Sequence, residues 1–352
     1  MTIIREVLVE PQAMAWLPWA VSYFFFVGIA FSAAMIGFAM RFLRKNHNVY
    51  HELIAVTIAL SCVIVAPIAL VADLHQPARA YNFYFSMAPW SWMAWGSFFI
   101  PLFAVSVAGY FLFLVRQVAT PESFPKWLRF IFLGKTNNTL FTKIFSFSSL
   151  ITAGLVFLYT VMEIYIVTAR PLWNEVALAP LFFFSIFPVA ALLIALAIRL
   201  VFKVQADKWL TQASLISAIL LALTLFWYTQ TSALNAQAIG ILWRNSNSIL
   251  LTVISLSALT VLLLIPKNSL AVVALRALMA LLVGGLVRWI VLMEAQMIPK
   301  YNALINSYQF TWTTDGGLGM VGMLGLWLLV GVILWQLLTY VLQPKIGGRH
   351  YG

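Results

Sequence analysis

The sequence predicts an all-α, polytopic membrane bundle of about nine helices, with residues 1–352 in a single domain. The chain is 63% hydrophobic and only 9% charged, whereas soluble domains are about half apolar and about a quarter charged. Apolar runs of about 20 residues, the length that crosses about 30 Å of hydrocarbon, recur along the whole chain. Continuous apolar runs such as residues 215–227 lack the alternation of apolar and polar residues that is typical of barrel strands. The backbone N–H and C=O groups must therefore be hydrogen-bonded within helices.

Nine hydrophobic segments are expected to span the membrane. The sixth and seventh spans are the least certain, because Thr, Gln, Asn and Ser lower the hydrophobicity of residues 229–248 between them. An eight-span alternative would drop one of these two spans. The prediction is therefore a core of eight helices plus one more. The predicted spans are residues 16–42, 51–72, 90–115, 145–168, 178–202, 210–230, 247–265, 270–296 and 318–341.

Lys and Arg are distributed unequally between the two sets of loops that join these spans. One set carries 15 of the 21 basic residues and the other carries the remaining 6. Because cytoplasmic loops are enriched in Lys and Arg, the N-terminus is predicted outside and the C-terminus in the cytoplasm. This orientation requires an odd number of spans. It also accounts for the net charge of +11 without any nucleic-acid partner.

Several cofactor classes are excluded by residues that the chain lacks. The single cysteine, Cys62, cannot by itself ligate an iron–sulfur cluster or a structural zinc. None of the four histidines lies in the middle of a predicted span, where a membrane haem needs its axial ligands. No phosphate-binding Gly-rich loop or metal-ligand spacing is present. The sequence therefore predicts no haem, cluster or metal in this chain.

Asp73, His75 and Arg79 form a charged cluster between two long apolar segments. Charged groups near membrane depth mark proton paths or ligand sites more often than they mark packing. A structural alternative stays open, in which Asp73 and Arg79 cap and anchor helix ends and His75 lies in a solvated loop. The cluster is expected where the second span meets water on the outer side.

Four more polar residues are expected at a similar depth. Glu163 is placed about two turns from the outer end of the fourth span, with Arg170 seven residues later on the same helical face. Arg288 is placed about two turns inside the eighth span, and Tyr23 lies in the first. A passive role is hard to justify at that depth, although an ion pair between Glu163 and Arg288 that only joins helices remains an alternative.

Together these side chains have the chemistry that a quinone headgroup requires. Such a headgroup needs a hydrogen-bond donor to each carbonyl, and a carboxylate or histidine that takes up protons as quinol is oxidised. The hypothesis assigns proton acceptance, the catalytic role, to Asp73, His75 and Glu163, and quinone binding to Tyr23, Arg79, Arg170 and Arg288.

Three sequence elements resemble those of the NrfD family, the membrane subunits of polysulfide-reductase-type complexes. They are residues 17–28 (LPWAVSYFFFVG), 72–79 (ADLHQPAR) and 89–92 (PWSW). The resemblance covers most of the chain and extends to family members that serve tetrathionate-reducing complexes. Two features depart from the family pattern. His75-Gln76 stands where the family often has Gly, and the ninth span exceeds the eight-span core of the polysulfide-type relatives.

The resemblance implies a haem-free subunit of the bacterial cytoplasmic membrane that oxidises menaquinol or ubiquinol near the outer face. It also implies two partners: a periplasmic four-cluster iron–sulfur subunit and a molybdopterin catalytic subunit that reduces the terminal acceptor. The chain alone would then not act on that acceptor. By position, Tyr23 matches a residue that lines the family's quinone pocket, and Asp73 and Arg79 match the loop beside it.

Two other functions stay open. A secondary transporter of a small anion would use Arg79, Arg170 and Arg288 as its site. Transporter sites, however, lie near the midplane between paired repeats, and these charges are predicted in the outer third of the membrane. A passive anchor that only tethers partner subunits would bind no quinone.

Overall fold

The computed structural model describes residues 14–45, 47–74, 76–298, 306 and 308–346, and every long regular element in those ranges is helical. This confirms the all-α, polytopic class. The helices are α1 (Pro18–Phe42), α2 (Val49–Asp73), α3 (Trp92–Val118), α4 (Asn138–Tyr165), α5 (Leu178–Phe202), α6 (Lys208–Gln230), α7 (Ala233–Asn245), α8 (Ser248–Leu264), α9 (Leu270–Met297) and α10 (Gly317–Ile346).

Eight of these helices are each long and apolar enough to cross a membrane. The exceptions are α7 and α8, which meet at a bend of 92° and qualify as one span only when they are taken together. The bend falls within the polar stretch that weakened the sequence prediction, at Ser246 and Asn247. Helix α8 coincides with the predicted seventh span, so the ninth crossing depends on this short helix.

Helix α1 is the centre of the bundle. It packs against α2, α4, α5, α9 and α10, and most of its residues are buried. Small residues permit the close approach, because a Cβ at Gly28 would lie 2.8 Å from the Ile186 side chain and one at Gly37 would lie 3.2 Å from Val56. Helix α10 is the least buried of the spans, so its apolar outer face is available to lipid.

Contacts between consecutive helices define two ends of the bundle. At the first, which we call the Asp73 end, the start of α1 meets the ends of α2 and α9. There Asp73 accepts a hydrogen bond from the Leu17 N–H at 3.1 Å, and the Gln296 side chain accepts one from the Trp16 N–H at 3.1 Å. At the second, the Glu52 end, the last turn of α1 meets the first turn of α2.

A buried carboxylate ties three helices together at the Glu52 end. Glu52 of α2 is fully buried. It accepts two hydrogen bonds from Arg41 of α1, at 2.6 and 3.0 Å, and one from the Tyr110 hydroxyl of α3, while His47 Nε2 lies 2.5 Å from Oε2. A buried charge is stable only when it is paired and hydrogen-bonded. The hydrogen bonds of Glu52 therefore fix the positions of the three helices relative to one another. None of the sequence patterns described above predicts this centre.

The last part of α9 is irregular. Residues Ile290–Glu294 form a π-helical turn, which is rare in proteins and frequently found at functional sites. Within this turn the Val291 carbonyl accepts a hydrogen bond from the Trp173 indole at 2.6 Å. The turn also carries Glu294, and Gln296 follows it; both side chains are buried. Helix α9 thus brings polar groups to the interior of the Asp73 end.

Replacing Glu52 by Ala is expected to lower the free energy of unfolding by roughly 3–5 kcal/mol, because Arg41 is left buried without its counter-charge. The measurement is thermal unfolding of the purified protein in detergent, followed by the reaction of Cys62 with a thiol-reactive dye. Cys62 is a useful reporter because it is a free, buried cysteine.

The matched control is Glu122→Ala, which removes an exposed carboxylate from the short turn Pro121–Ser123 and should leave the melting temperature unchanged. Equal melting temperatures for the two variants would contradict the proposed role of Glu52 in holding α1, α2 and α3 together.

Candidate functional site

Three helices bring polar side chains together near the Asp73 end. Tyr23 lies on α1, Asp73 ends α2, and Tyr159 and Glu163 lie one turn apart on the same side of α4. Tyr159 is within interaction range of both Tyr23 and Glu163, and Asp73 is close enough to act electrostatically on Glu163. We call these four residues the tyrosine–carboxylate cluster. It unites three of the spans that the sequence predicted.

The cluster contains buried polar atoms that lack an aligned partner. Glu163 is buried and Tyr23 is fully buried. Neither Glu163 Oε2 nor the Tyr23 hydroxyl completes a well-aligned hydrogen bond within the described part of the chain. Leaving such a group unpaired destabilises a protein by about 1–3 kcal/mol. A ligand with oxygen atoms that both donate and accept hydrogen bonds would satisfy both groups.

The position of Tyr159 depends on a glycine in a third helix. A Cβ added at Gly96 of α3 would overlap the Tyr159 ring. The ring therefore packs directly against the α3 backbone, because any residue other than glycine at position 96 would place its Cβ where the ring lies. This contact holds the Tyr159 hydroxyl between Tyr23 and Glu163.

Asp73 has a structural contact in addition to its place in the cluster. Its Oδ1 atom accepts a hydrogen bond from the N–H of Leu17, the residue that precedes α1, at 3.1 Å. The carboxylate thus ties the end of α2 to the start of α1. It is also partly accessible to solvent, which suits a group that exchanges protons between a buried carboxylate and water.

Arg288 joins α1, α5 and α9 from the interior. It is almost fully buried, and its guanidinium stacks over the Phe182 ring at 5.3 Å. Its donors lie 2.9–3.2 Å from the carbonyls of Phe24, Phe182 and Gly284 and the hydroxyl of Ser185. Because Phe24 is the next residue after Tyr23, this network fixes the part of α1 that carries the cluster tyrosine.

Arg170 lies in the loop between α4 and α5. Its side chain is buried, stacks over the Trp173 ring at 5.2 Å and donates a hydrogen bond to the Gln296 carbonyl at 3.3 Å. Burial lowers the pKa of the Arg170 guanidinium from its usual value. These contacts connect the loop to the end of α9 rather than to Glu163.

The same loop contains a strained residue. Leu172 has a φ of 70°, an uncommon conformation for a residue with a Cβ, which persists only where the surroundings impose it. The Asn235 side chain accepts a hydrogen bond from the Leu172 N–H at 3.0 Å, and the Tyr228 hydroxyl donates one to the Leu172 carbonyl. Arg170 and Glu175 line a cavity of about 460 Å³ between this loop and α7.

The remaining loop candidates lie elsewhere. Arg79 is exposed in the short helical turn Pro77–Arg79, and the structure does not bring it into the tyrosine–carboxylate cluster. His75 lies outside the described residues. Within the described ranges, no three His, Cys, Asp or Glu side chains converge in a way that could hold a metal ion.

One expectation about Glu163 is wrong, and one structural alternative is excluded. Helix α4 ends at Tyr165, so Glu163 lies in its last turn and Arg170 does not share its helical face. Pro171 prevents the helix from continuing through this loop. Glu163 also forms no ion pair with Arg288, because both ion pairs in the described part of the chain belong to Glu52. Neutral oxygens of three helices satisfy Arg288 instead.

Two groups in this region were not predicted from the sequence. Tyr159 could have been found from its spacing, because a residue four positions before Glu163 lies on the same side of a helix. Glu294 is buried in the π-helical turn. Its Oε1 accepts a hydrogen bond from the Ser246 hydroxyl at 2.6 Å, whereas its Oε2 has no aligned partner among the described residues.

Comparison with known proteins gives two matches. Residues 6–300 match the family model described as polysulphide reductase, NrfD. The chain is also 35% identical, over 350 residues, to a tetrathionate reductase subunit of Salmonella typhimurium, a match that covers 96% of each chain. Both matches include α1 to α4 and therefore every residue of the tyrosine–carboxylate cluster.

Replacing Gly96 by Ala is expected to displace the Tyr159 ring and to destabilise the protein by about 1–3 kcal/mol, the usual effect of overpacking. The measurement is the melting temperature in detergent. Gly154→Ala is the matched control, because a Cβ at Gly154 would meet nothing within 4 Å.

In a Tyr159→Ala background, the Gly96→Ala substitution should no longer destabilise the protein, since the ring that it displaces is gone. If the two substitutions acted additively instead, the proposed contact between Gly96 and Tyr159 would be excluded.

Proposed function

The chain belongs to the NrfD family of polysulphide reductase subunits, and we propose that it is the quinol-oxidising membrane subunit of a tetrathionate reductase complex. Each quinol releases two protons to groups of this chain and two electrons to an iron–sulfur partner subunit. That partner passes the electrons to a molybdopterin subunit, where two electrons cleave tetrathionate into two thiosulfates. The similarity to a tetrathionate reductase subunit supports the choice of complex.

The observation that carries the proposal is a pair of buried oxygens in the tyrosine–carboxylate cluster that lack an aligned hydrogen bond. The buried Glu163 Oε2 and Tyr23 hydroxyl have no aligned partner in the described part of the chain. A quinol presents two hydroxyl groups that donate hydrogen bonds, and the quinone product presents two carbonyls that accept them. A buried site for this substrate therefore needs both an acceptor and a donor.

The chemistry divides between the members of the cluster. Glu163 acts as a general base within hydrogen-bond reach of the headgroup. It accepts the two quinol protons one at a time and releases each to Asp73 before it accepts the next. Tyr23 and Tyr159 donate hydrogen bonds to the headgroup oxygens. Asp73, which is close enough to act on Glu163 and partly exposed, passes the proton toward water. His75 and Arg79 remain candidates for the outer part of this path.

Arg288 and Arg170 act as positioning residues in this proposal. Four donors of Arg288 are already engaged by protein oxygens, so its contribution is to hold α1 and Tyr23 in place. Arg170 fixes the loop after α4 against the end of α9. The engagement of both guanidinium groups also weakens the anion-transporter alternative, which needs free cations at its site.

A passive anchor is a weaker alternative for a related reason. Unpaired buried polar atoms destabilise a membrane bundle, and a subunit that only tethers partners gains nothing from them. A titration of the purified subunit with a quinone analogue separates the two functions, because a passive anchor would bind none.

The Glu163→Gln substitution is expected to lower quinol-driven tetrathionate reduction by a hundredfold or more, within the range of about 10²–10⁴ that general acid–base groups contribute. Glutamine keeps the size of the side chain but cannot accept the proton. The measurement uses the whole complex in membrane vesicles. Reduction driven by a dye that feeds the partner subunits directly should continue at the normal rate.

Asp73→Asn tests the second carboxylate separately, because asparagine keeps an oxygen that can accept the Leu17 N–H. A loss of quinol-driven activity would support proton transfer, whereas full activity would leave Asp73 with its structural contact alone. Glu122→Gln is the control. Unchanged quinol-driven activity in Glu163→Gln would disprove the site assignment.

The proposed orientation places the Asp73 end outside the cytoplasmic membrane, with the N-terminus periplasmic and the C-terminus cytoplasmic. Because α10 runs away from the Asp73 end, the C-terminus should then lie in the cytoplasm. A fluorescent protein that folds only in the cytoplasm should be fluorescent when it is fused there, and alkaline phosphatase, which is active only in the periplasm, should be inactive. Fusions within the loop between α4 and α5 should show the opposite pattern. Active alkaline phosphatase at the C-terminus would reverse the orientation.

A further inference from the structure

A second cavity, of about 280 Å³, opens at the Glu52 end, far along the helices from the tyrosine–carboxylate cluster. It lies where α5, α6, α8 and α9 meet. Three of its lining side chains are cations, one each from α5, α6 and α9, and none of the described residues that line it is acidic. The cations are Arg199, Lys208 and Arg276.

Arg276 is the most deeply placed of the three, at 2% exposure. It donates to the carbonyls of Leu262, Ile265 and Lys267 and to the Asn268 side chain, at 2.6–3.3 Å. These neutral acceptors satisfy four of its donors but supply no formal negative charge. Arg276 therefore keeps its positive charge beside the cavity, where Arg199 and Lys208 add theirs, and the summed charge favours an anion in the cavity.

The walls of the cavity are apolar on the side of α8. Leu263 and Leu264 line it, and Leu264 is 65% exposed, as expected for a side chain that faces lipid. The cavity therefore combines cationic groups at the end of the membrane spans with hydrocarbon-compatible walls. A ligand suited to both must carry a negative charge and an apolar portion.

We propose that this cavity binds the phosphate group of an anionic phospholipid. Basic pockets between membrane helices are typical binding sites for such headgroups. Lys208 is the first residue of α6, so the phosphate would also lie near the positive end of that helix. The acyl chains would continue along the apolar side chains of α8. This site does not depend on the proposed quinol oxidation.

The test compares the full-length protein with a variant that carries both Arg199→Gln and Lys208→Gln. These positions are chosen because Arg276, being buried, is needed for folding. Native mass spectrometry in detergent measures binding of phosphatidylglycerol against phosphatidylcholine. The unchanged protein should prefer phosphatidylglycerol, and the double variant should bind it about thirtyfold less tightly, as expected for two cations near the membrane surface.

The matched control carries Lys126→Gln and Lys135→Gln, two exposed basic residues that do not line the cavity, and should retain the preference for phosphatidylglycerol. Melting temperatures without added lipid establish that both variants fold. Equal binding by the two variants would overturn the proposal. It would also be overturned if inorganic phosphate at similar concentration displaced phosphatidylglycerol, since the ligand would then be a free phosphate.

Discussion

The bundle depends on one constraint: inside the hydrocarbon layer, every polar group must find its partner within the protein. Arg288 meets this constraint through oxygens of α1, α5 and α9, and Glu52 meets it through donors from α1 and α3. These two residues connect the helices that surround α1 at different depths. Their networks fix how the helices are rotated, which apolar packing alone leaves weakly specified.

Against this background, unsatisfied groups are informative. Glu163, Tyr23 and Glu294 each keep a buried oxygen without an aligned partner in the described chain, and all three lie toward the Asp73 end. Elsewhere in the same end, strained and polar groups such as Leu172 and Gln296 are fully engaged. At this end of the bundle, the contrast distinguishes residues that hold the scaffold from residues that the proposed function assigns to the substrate.

Hydropathy predicted the helices well, because a span must be apolar along most of its length. The charged residues of the site were also predictable, since charge is rare at membrane depth. Their partners were not. Whether Arg288 meets Glu163 or the carbonyl of Phe24 depends on the rotation of three helices, which loop charges and hydropathy do not determine. The spacing to Glu163 could have placed Tyr159 on the right side of its helix, but not the position of its ring, which depends on Gly96, on a helix 63 residues earlier in the chain.

The bend between α7 and α8 affects the surrounding bilayer. Helix α8 has 17 residues, which at about 1.5 Å per residue gives roughly 26 Å, a few ångströms less than a typical hydrocarbon layer. A short hydrophobic span is accommodated by local thinning of the membrane. The lipid beside α8 is therefore expected to be compressed, so that this side of the protein favours shorter or more disordered acyl chains than the side formed by α3 and α4.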